Sequence, residues 1–482
     1  MGLFDLLRRM VFGSPSTERP SNRANSETSA QSAGEGRSPS SANNEERSPR
    51  SGHSVPASPT VSEPSSRQQS AELPHSRSQS DRRSHATPDY DSPLVHLARL
   101  NYVSSLVPTP TTQEIVEGDQ PPYRFAHRQP WTGRFLDFST DIDVRWLEYY
   151  GVPHLQTPEQ LANWLELPLG KLAWLTYRFC DNYRPQSAQE AHYHFRWIRK
   201  RTGGHRLIES PKKTLKQVQH RILREILDRI PSHPAAHGFV PGRSIITNAE
   251  PHCDRRFILK FDLENFYPSV RYSRVVSIFR SIGYSREVAI WLARLTTSSA
   301  PSSLKLPLGE STSIWKYMPR HLPQGAPTSP ALANLSAFAL DVRLSGLAHA
   351  YHLRYTRYAD DLTFSGEGRA VPALREIILL TQQIIRDERF MVHRQKRKLI
   401  RSSQRQVVTG VVVNEGTNIS RSDYDRLKAT LHNCLKHGPA SQNHQQHPEF
   451  AAQLRGRIAH VSMLNEQRGK KLLEMFAKIR WT

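Results

Sequence analysis

Two adjacent carboxylates, Asp360 and Asp361, lie at the centre of RYTRYADDLTFSGEG, residues 354–368. The flanking segments, Arg354–Tyr358 and Leu362–Ser365, are rich in Tyr, Thr and Phe. This composition predicts two strands joined as a hairpin, with the carboxylates near its turn. Because Asp is an ordinary turn residue, a solvated turn explains the pair taken alone. A catalytic interpretation requires further groups at the same place.

A third carboxylate ends another apolar run. In RRFILKFDLENFYPSV, residues 255–270, the apolar segment 257–261 predicts a strand that ends on Asp262. A helix cap or a solvated strand end would explain Asp262 alone. Together with Asp360 and Asp361, however, it could converge on one edge of a sheet, where three carboxylates would repel unless cations neutralised them. Two Mg²⁺ ions about 3.5–4 Å apart would do so, and would serve an in-line displacement at a phosphoryl group.

The segment RHLPQGAPTSPALANLSAFAL, residues 320–340, lies between these elements in the sequence. Ser329 followed by Pro330 predicts a helix start, and the apolar run after it predicts a buried helix. Gln324 and Gly325 would present an amide and bare backbone, where a base and sugar could lie close. A plain loop-to-helix junction is the alternative.

A Gly-Gly turn marks a second candidate binding element. In RKRTGGHRLIESP, Gly203 and Gly204 predict a hairpin turn surrounded by Lys200, Arg201 and Arg206. Such a cationic flap could grip a triphosphate. Solvated surface charge is the alternative for Lys200 and Arg201.

The charge of the chain is strongly positive and unevenly distributed. The formal net charge is +22 over 482 residues, yet residues 1–92 contain 11 Arg, no Lys and 11 acidic residues. The excess therefore lies in 93–482, which predicts a polyanionic partner such as nucleic acid, with an anionic membrane surface as the rival. Residues 14–92 are rich in Ser, Pro and Arg and poor in large apolar residues, which predicts a disordered tail.

No apolar run approaches the roughly 20 residues that span a bilayer, so we expect a soluble protein without a membrane partner. The opening MGLFDLLRRMVFG is amphipathic and lacks the features of a secretory signal. Three cysteines, at 180, 253 and 434, fit neither a zinc spacing nor a disulfide framework. These features favour the cytoplasm.

Mixed strand and helix signals predict an α+β fold. In the N-terminal region 93–190, LVHLARLNYVSSLV predicts a helix, and Thr157, Pro158 and Gln160 predict a second helix with a capping box. A DNA-binding helix-turn-helix is the less favoured interpretation of this region, because no basic recognition face follows. Residues from Arg421 onward predict basic helices.

The ordered set FDLENFYPSV, QGAPTSP and YADD resembles the palm motifs of reverse transcriptases, and the resemblance runs from about Phe195 to Asn414. Two short stretches, NAEPH at 248–252 and VTGVVVN at 408–414, resemble elements of the retron reverse transcriptases.

This resemblance implies a right-hand polymerase: fingers and palm at 191–414 and a helical, RNA-binding thumb at 415–482. A helical region at 93–190 and a disordered tail at 1–92 would precede them. The tail departs from the shorter members of the family.

The resemblance also implies roles for individual residues. Asp262, Asp360 and Asp361 would be catalytic and hold two Mg²⁺ ions, with the backbone of Leu263 assisting. Tyr267 would lie under the nucleotide sugar and reject a 2′-hydroxyl.

Around them, Arg206 would contact the triphosphate, while Gln324 and Gly325 would shape the nucleotide pocket. Lys396, in HRQKRKLI, falls where the family carries a lysine near the pyrophosphate, and it would act as general acid. The family has Asn where this chain has His393.

RNA recognition, or positioning of the priming end, is implied for Asn248, His252 and Thr409. A buried, hydrogen-bonded core histidine is the alternative for His252.

As a whole, the resemblance implies an RNA-directed DNA polymerase. It would copy part of a structured non-coding RNA from the 2′-hydroxyl of an internal guanosine and give branched multicopy single-stranded DNA (msDNA). Its partners would be that RNA, the msDNA product, dNTPs and an accessory effector of an antiphage system. A group II intron-type or diversity-generating reverse transcriptase, or a catalytically dead RNA-binding scaffold, are the alternatives. All three Asp positions are filled, which argues against the scaffold.

Overall fold

The computed structural model describes residues 115–177, 184–200, 203–307 and 314–481. These residues all belong to one compact unit. The predictions of a disordered tail, an amphipathic N-terminal segment and a helix at 94–107 lie outside the described residues.

The strands form four antiparallel sheets within the described chain. A central sheet has the order β7-β8-β6-β9, a small N-terminal sheet has the order β1-β3-β2, and β4-β5 and β10-β11 are two-stranded. The strands are β1 (Val116–Gly118), β2 (His127–Arg128), β3 (Phe135–Asp137), β4 (Tyr193–Arg199), β5 (His205–Pro211), β6 (Phe257–Asp262), β7 (Arg354–Tyr358), β8 (Asp361–Gly366), β9 (Lys398–Arg401), β10 (Val407–Val408) and β11 (Val411–Val412).

Helices surround the central sheet and form the C-terminal part of the chain. They are α1 (Val144–Tyr150), α2 (Pro158–Trp164), α3 (Leu169–Leu175), α4 (Lys213–Glu225), α5 (Ile245–Ala249), α6 (Phe266–Ser269), α7 (Tyr272–Ser281), α8 (Arg286–Thr296), α9 (Ser329–Ser336), α10 (Phe338–Ala350), α11 (Leu374–Asp387), α12 (Arg421–His437), α13 (Phe450–Leu464) and α14 (Glu466–Ala477). None of the helices in the described ranges combines the length and apolarity needed to cross a bilayer.

Strand β6 is apolar because it lies inside the central sheet, between β8 and β9. Its side chains alternate between two hydrophobic cores, as the period of a strand requires. Phe257, Leu259 and Phe261 enter the main core, formed with the helices from α1 to α11 other than α5. Ile258 enters a second core with α12–α14 and the β10-β11 hairpin. The sheet therefore joins the C-terminal helices to the rest of the unit.

Most predicted elements in the described ranges are present, with two differences in the N-terminal region. This region, predicted as helical, also contains the sheet β1-β3-β2. Thr157 caps α2 by accepting from Gln160 N at 3.4 Å. Gln160 Oε1 accepts from Gln156 N at 2.7 Å instead of from Thr157 N, so the predicted capping box is wrong in its second bond.

Candidate active site

Two of the predicted carboxylates face each other across the central sheet. Asp262 ends β6, Asp361 begins β8, and the two residues are directly opposed in the antiparallel register. Leu263 N donates to the carbonyl oxygen of Asp360 at 2.8 Å, which ties the β7-β8 turn to the end of β6. The structure therefore brings all three Asp residues to one end of the sheet, as the sequence predicts.

The turn that carries Asp360 has a constrained backbone. Ala359 adopts φ 53°, in the left-handed region that residues with a Cβ rarely occupy. Gly238 packs against this residue so closely that an added Cβ would lie 2.7 Å from Ala359 N. Glycine is required at 238 because no side chain fits between the two backbones.

Negative charge accumulates at the turn. Burial, together with repulsion from Asp361 and Asp262, raises the pKa of Asp360 to about 7, while Arg206 opposes the shift. Burial also raises the pKa of Asp361, partly offset by the positive charge of Lys260. The carboxylates thus occupy a site that lacks enough positive charge to keep them ionised without cost.

Lys396 forms an ion pair with one of these carboxylates. Its Nζ lies 2.8 Å from Asp262 Oδ2, and the Asp262 side chain is only 8% exposed. The backbone N–H of His393 donates to the Asp262 carbonyl at 2.8 Å, which fixes the segment that carries Lys396. Burial alone would lower the pKa of Lys396, but the hydrogen bond to Asp262 and the negative charges of Asp262 and Asp360 act in the opposite direction, and the net effect is a pKa above its ordinary value.

The residues at the predicted metal site have suitable donor atoms, but they are not arranged as a metal-binding group. Within the parts of the chain that the structure describes, no group of three or more His, Cys, Asp and Glu side chains is arranged to hold a metal ion. Carboxylate oxygens are nevertheless the donors that hard divalent cations prefer, and burial and the neighbouring carboxylates raise the pKa of Asp360. Lys396 Nζ donates to Oδ2 of Asp262, so that oxygen is already paired. The Mg²⁺ site stays a prediction.

A cleft of about 680 Å³ opens in front of the turn. Most of the predicted catalytic and nucleotide-binding residues line it: Arg206, Asp262, Tyr267, Gln324, Asp360 and Lys396. Asp361 is not among the lining residues and lies within the β6-β8 ladder. The cleft also contains Lys200, the backbone of Leu263 and Gly203, whereas Arg201 lies outside the described residues.

Backbone contacts attach the Gln324-Gly325 loop to the β4-β5 hairpin. Glu209 N donates to Gln324 O at 2.9 Å. Gly325 has φ 134°, and a Cβ there would lie 3.0 Å from Glu209 O. Both the backbone conformation and the close approach require glycine. Glu209 in turn contacts the buried His321, whose Nε2 lies 2.9 Å from Glu209 Oε2.

The three residues predicted to recognise RNA are buried. Asn248, His252 and Thr409 are 1%, 0% and 3% exposed. Asn248 Nδ2 donates to Thr409 Oγ1 at 3.3 Å, and the His252 ring nitrogens lie 2.7 and 2.8 Å from Ser365 Oγ and Thr356 Oγ1. Direct RNA contact by these side chains does not fit this geometry; the alternative of a buried, hydrogen-bonded core histidine describes His252. Together they join α5, the central sheet and the β10-β11 hairpin.

Residue-by-residue inspection of the sequence missed a buried polar network behind the turn. Arg357 and Asp341 are both 0% exposed and form a bidentate ion pair, with Nε–Oδ1 at 2.8 Å and Nη2–Oδ2 at 2.6 Å. The available signals were an Arg directly before Tyr358 and an Asp inside the apolar run of α10. Neither signal identifies the partner, because the two residues meet only in the folded chain.

The family model for reverse transcriptases (RNA-dependent DNA polymerases) matches residues 198–413. The match contains the three Asp residues and the cleft, so the chain carries a polymerase of the right-hand type, a class that uses divalent metal ions.

Similar proteins narrow the class. The chain is 40% identical to the retron Mx65 reverse transcriptase of Myxococcus xanthus over 68% of this chain and 73% of that protein. It is 36% identical to the retron Mx162 enzyme of the same species, over 69% of each. It is also 32% identical to the retron Ec86 enzyme of Escherichia coli, over 57% of this chain and 76% of that protein.

A structure of telomerase from Candida albicans aligns with 59% of this chain and with 62% of the telomerase chain, at 12% sequence identity. Its TM-score of 0.35 is too low to support an argument. The similarity to the retron enzymes shows that the chain belongs to the retron reverse transcriptases and is an RNA-directed DNA polymerase.

Proposed function

We propose that this polymerase copies part of a structured non-coding RNA, starting from the 2′-hydroxyl of an internal guanosine, and produces branched msDNA within a cytoplasmic antiphage system. The observation that carries the proposal is the meeting of Asp262, Asp360 and Lys396 in one cleft, in a chain 40% identical to a retron enzyme. The RNA, the msDNA product, dNTPs and an accessory effector protein are the partners that this function requires.

Asp262, Asp360 and Asp361, with the backbone of Leu263, are the residues proposed to hold two Mg²⁺ ions. When bound, these ions would lower the pKa of the attacking hydroxyl and stabilise charge on the leaving pyrophosphate. The raised pKa of Asp360 supports this role, because burial and repulsion from Asp361 and Asp262 disfavour the charged carboxylate, and a bound cation would favour it.

The nucleotide is proposed to lie between the hairpin β4-β5 and the sheet. Arg206 binds the triphosphate from the hairpin, while Gln324 lines the cleft on the base and sugar side. Gly325 does not line the cleft, but its exposed position beside Gln324 leaves room for a base or sugar to approach. Tyr267 lies against the sugar, where its ring excludes a 2′-hydroxyl and so favours deoxynucleotides. Burial raises the pKa of Tyr267 above its ordinary value, so the ring presents a neutral phenol.

Lys396 is proposed to donate a proton from Nζ to the pyrophosphate as the oxygen–phosphorus bond breaks. Its raised pKa keeps the amine protonated, which is the form a general acid must have. The contact with Asp262 holds the ammonium beside the reacting groups before substrate arrives.

The remaining assignments follow the right-hand polymerase plan. Hairpin β4-β5 belongs to the fingers, the central sheet to the palm, and α12–α14 to a thumb that holds RNA duplex by its phosphates and shape. Exposed basic residues on and beside these three helices support that role: Arg421, Arg426, Lys428, Lys436, Arg455, Lys470, Lys471, Lys478 and Arg480. Asn248, His252 and Thr409 contribute to RNA recognition indirectly, by joining α5, the central sheet and the β10-β11 hairpin, whose valines share a core with the thumb helices.

The nucleic acid that copurifies with the protein tests the priming chemistry. Treatment with a 2′,5′-debranching enzyme should release linear DNA from RNA, and the RNA should carry the branch at a guanosine. DNA that carries no 2′,5′ linkage would contradict this proposal and favour priming of the intron or diversity-generating kind.

A further inference from the structure

A buried ionic network lies directly behind the catalytic turn. Arg357 and Asp341 form its centre, and Tyr355 donates its hydroxyl to Asp341 Oδ1 at 2.9 Å. Arg357 Nη1 donates to Asn334 Oδ1 at 2.9 Å and to the carbonyl oxygen of Ala359 at 3.2 Å. The guanidinium therefore connects the ion pair to the backbone of the turn.

The contact with Ala359 bears on Asp360 directly. Ala359 has a left-handed backbone, which L residues adopt only when their surroundings hold them there. Its carbonyl belongs to the peptide group that leads into Asp360, so a donor at that oxygen restricts the peptide plane. Leu263 N holds the carbonyl of Asp360 on the other side, at 2.8 Å.

The same network reaches α9, the helix that follows the Gln324-Gly325 loop. Asn334 lies on α9, the helix that begins shortly after Gln324 and Gly325, and its Nδ2 donates to Gly238 O at 2.8 Å. Gly238 is the residue that packs against Ala359. Arg357 is also paired through its backbone: its N donates to Ala235 O at 2.7 Å, and its O accepts from His237 N at 2.8 Å. The turn therefore packs against groups held in place on α9, on β7 and in the segment 235–238.

Stability alone is a weak explanation for this network. A buried ion pair must overcome the desolvation of both charges, and replacing such a pair with apolar residues of similar volume is often neutral or stabilising. What apolar side chains cannot supply is a directed donor at the Ala359 carbonyl.

We propose that Arg357, oriented by Asp341, is a positioning residue that fixes the Ala359–Asp360 peptide and thereby sets the Asp360 carboxylate for catalysis. Asp341 and Tyr355 orient the guanidinium, and Asn334 couples it to α9. Neither Arg357 nor Asp341 lines the cleft, so Arg357 acts on the reaction through its neighbours and not by touching substrate.

The first test removes the ion pair and the tyrosine hydroxyl at once, in the variant Asp341→Leu/Tyr355→Phe/Arg357→Met of the full chain. Because neither charge of the pair is left buried without its counter-charge, and only the acceptors Asn334 Oδ1 and Ala359 O lose a donor, we expect the melting temperature and RNA affinity to stay close to those of the parent. We expect kcat for dNTP incorporation to fall about 10- to 100-fold, as for a small displacement of a catalytic group, with the KM for dNTP little changed. A stable triple variant with the parent kcat overturns the proposal.

The second variant, Arg357→Lys, keeps the charge opposite Asp341 but loses the planar fork that reaches Ala359 and Asn334. It should fold, bind RNA and show a similar loss of kcat. Loss of folding in both variants would assign the network to stability alone and would also overturn the proposal, as would full kcat in a folded lysine variant.

Arg343→Met provides the matched control. Arg343 lies on the same helix as Asp341 and binds Asp387 Oδ2 at 2.8 Å and Glu388 Oε1 at 3.0 Å, away from the turn. This variant should keep the parent kcat. An equal loss in the control would show that any Arg→Met change on this side of the sheet lowers activity, and would overturn the specific role of Arg357. An inactive parent enzyme would instead contradict the polymerase function itself.

Discussion

The ammonium of Lys396 lies 2.8 Å from a carboxylate oxygen of Asp262, the residue that ends the central strand of the sheet. Before substrate binds, the lysine thus partly neutralises the carboxylates that the turn collects. The same position lies in the cleft that would receive the triphosphate. We therefore propose that this one side chain both balances charge in the empty site and supplies a proton during the reaction.

Replacement of Lys396 by Met should lower kcat about 100-fold, because the leaving pyrophosphate loses its proton donor. Lys396→Arg should recover only part of the rate, since a guanidinium keeps the charge but releases its proton poorly. Single-turnover incorporation of one dNTP on a preformed primer–template measures the rate of each variant.

The control is Lys398→Met, which removes an exposed lysine from β9 near the same strand edge. Lys398 does not line the cleft, so its loss should leave single-turnover rates unchanged. Equal rates for the Lys396→Met variant and the parent would contradict the general-acid role.

Tyr267→Ala should allow ribonucleotides into the pocket. The ring lies in the cleft beside Asp360, so its removal opens the space that a 2′-hydroxyl needs. The preference for dNTP over rNTP, measured as the ratio of kcat/KM values, should fall about 10- to 100-fold.

Tyr267→Phe is the matched control, because it keeps the ring and removes only the hydroxyl. It should retain the parent preference for deoxynucleotides. If the alanine variant discriminates as strongly as the parent, sugar selection resides elsewhere in the pocket.

Acid should destabilise the fold through His252. Burial lowers the pKa of this imidazole to about 3, from the ordinary value of 6.5. Between these values the unfolded chain binds a proton that the folded chain does not. The contribution of neutral His252 to the free energy of unfolding is therefore fully present above pH 6.5 and is lost as the pH falls toward 3. From pH 6.5 to 5 this residue alone should remove about 1–2 kcal/mol from the free energy of unfolding.

Urea unfolding across that pH range measures the effect. A His252→Gln variant should be less stable at neutral pH, because it loses the contacts with Ser365 and Thr356, but its stability should fall less steeply with acid. The same change at the exposed His349 serves as the control and should leave the parent slope intact. If the free energy of unfolding falls equally steeply with acid in the parent and in His252→Gln, His252 is not a buried neutral histidine.

The sequence predicted the central strand and the Asp turn because local signals agree there. An apolar run ends on Asp262, and two strand-forming segments flank Asp360 and Asp361. The register that opposes Asp262 to Asp361 follows from the pairing of β6 with β8. Local composition could not supply that pairing, although it limited where the carboxylates could meet.

The sequence could not distinguish buried from exposed polar residues in the short motifs. Asn248, His252 and Thr409 have side chains suited to binding RNA, yet each finds its partner in another segment of the protein. The pair of Arg357 and Asp341 was missed for the same reason, because a buried charge is recognisable only when its counter-charge is located. Long-range pairing, rather than local pattern, decides these roles.

The central claim is that the Asp turn carries out nucleotidyl transfer, and Asp360→Asn tests it most directly. Asn keeps the size of the side chain and removes its negative charge. The variant and the parent are compared on the cognate structured RNA. We predict that dNTP incorporation by the variant falls to background, while its RNA affinity and melting temperature stay at parent values. DNA synthesis at the parent rate by a folded Asp360→Asn variant would contradict the account.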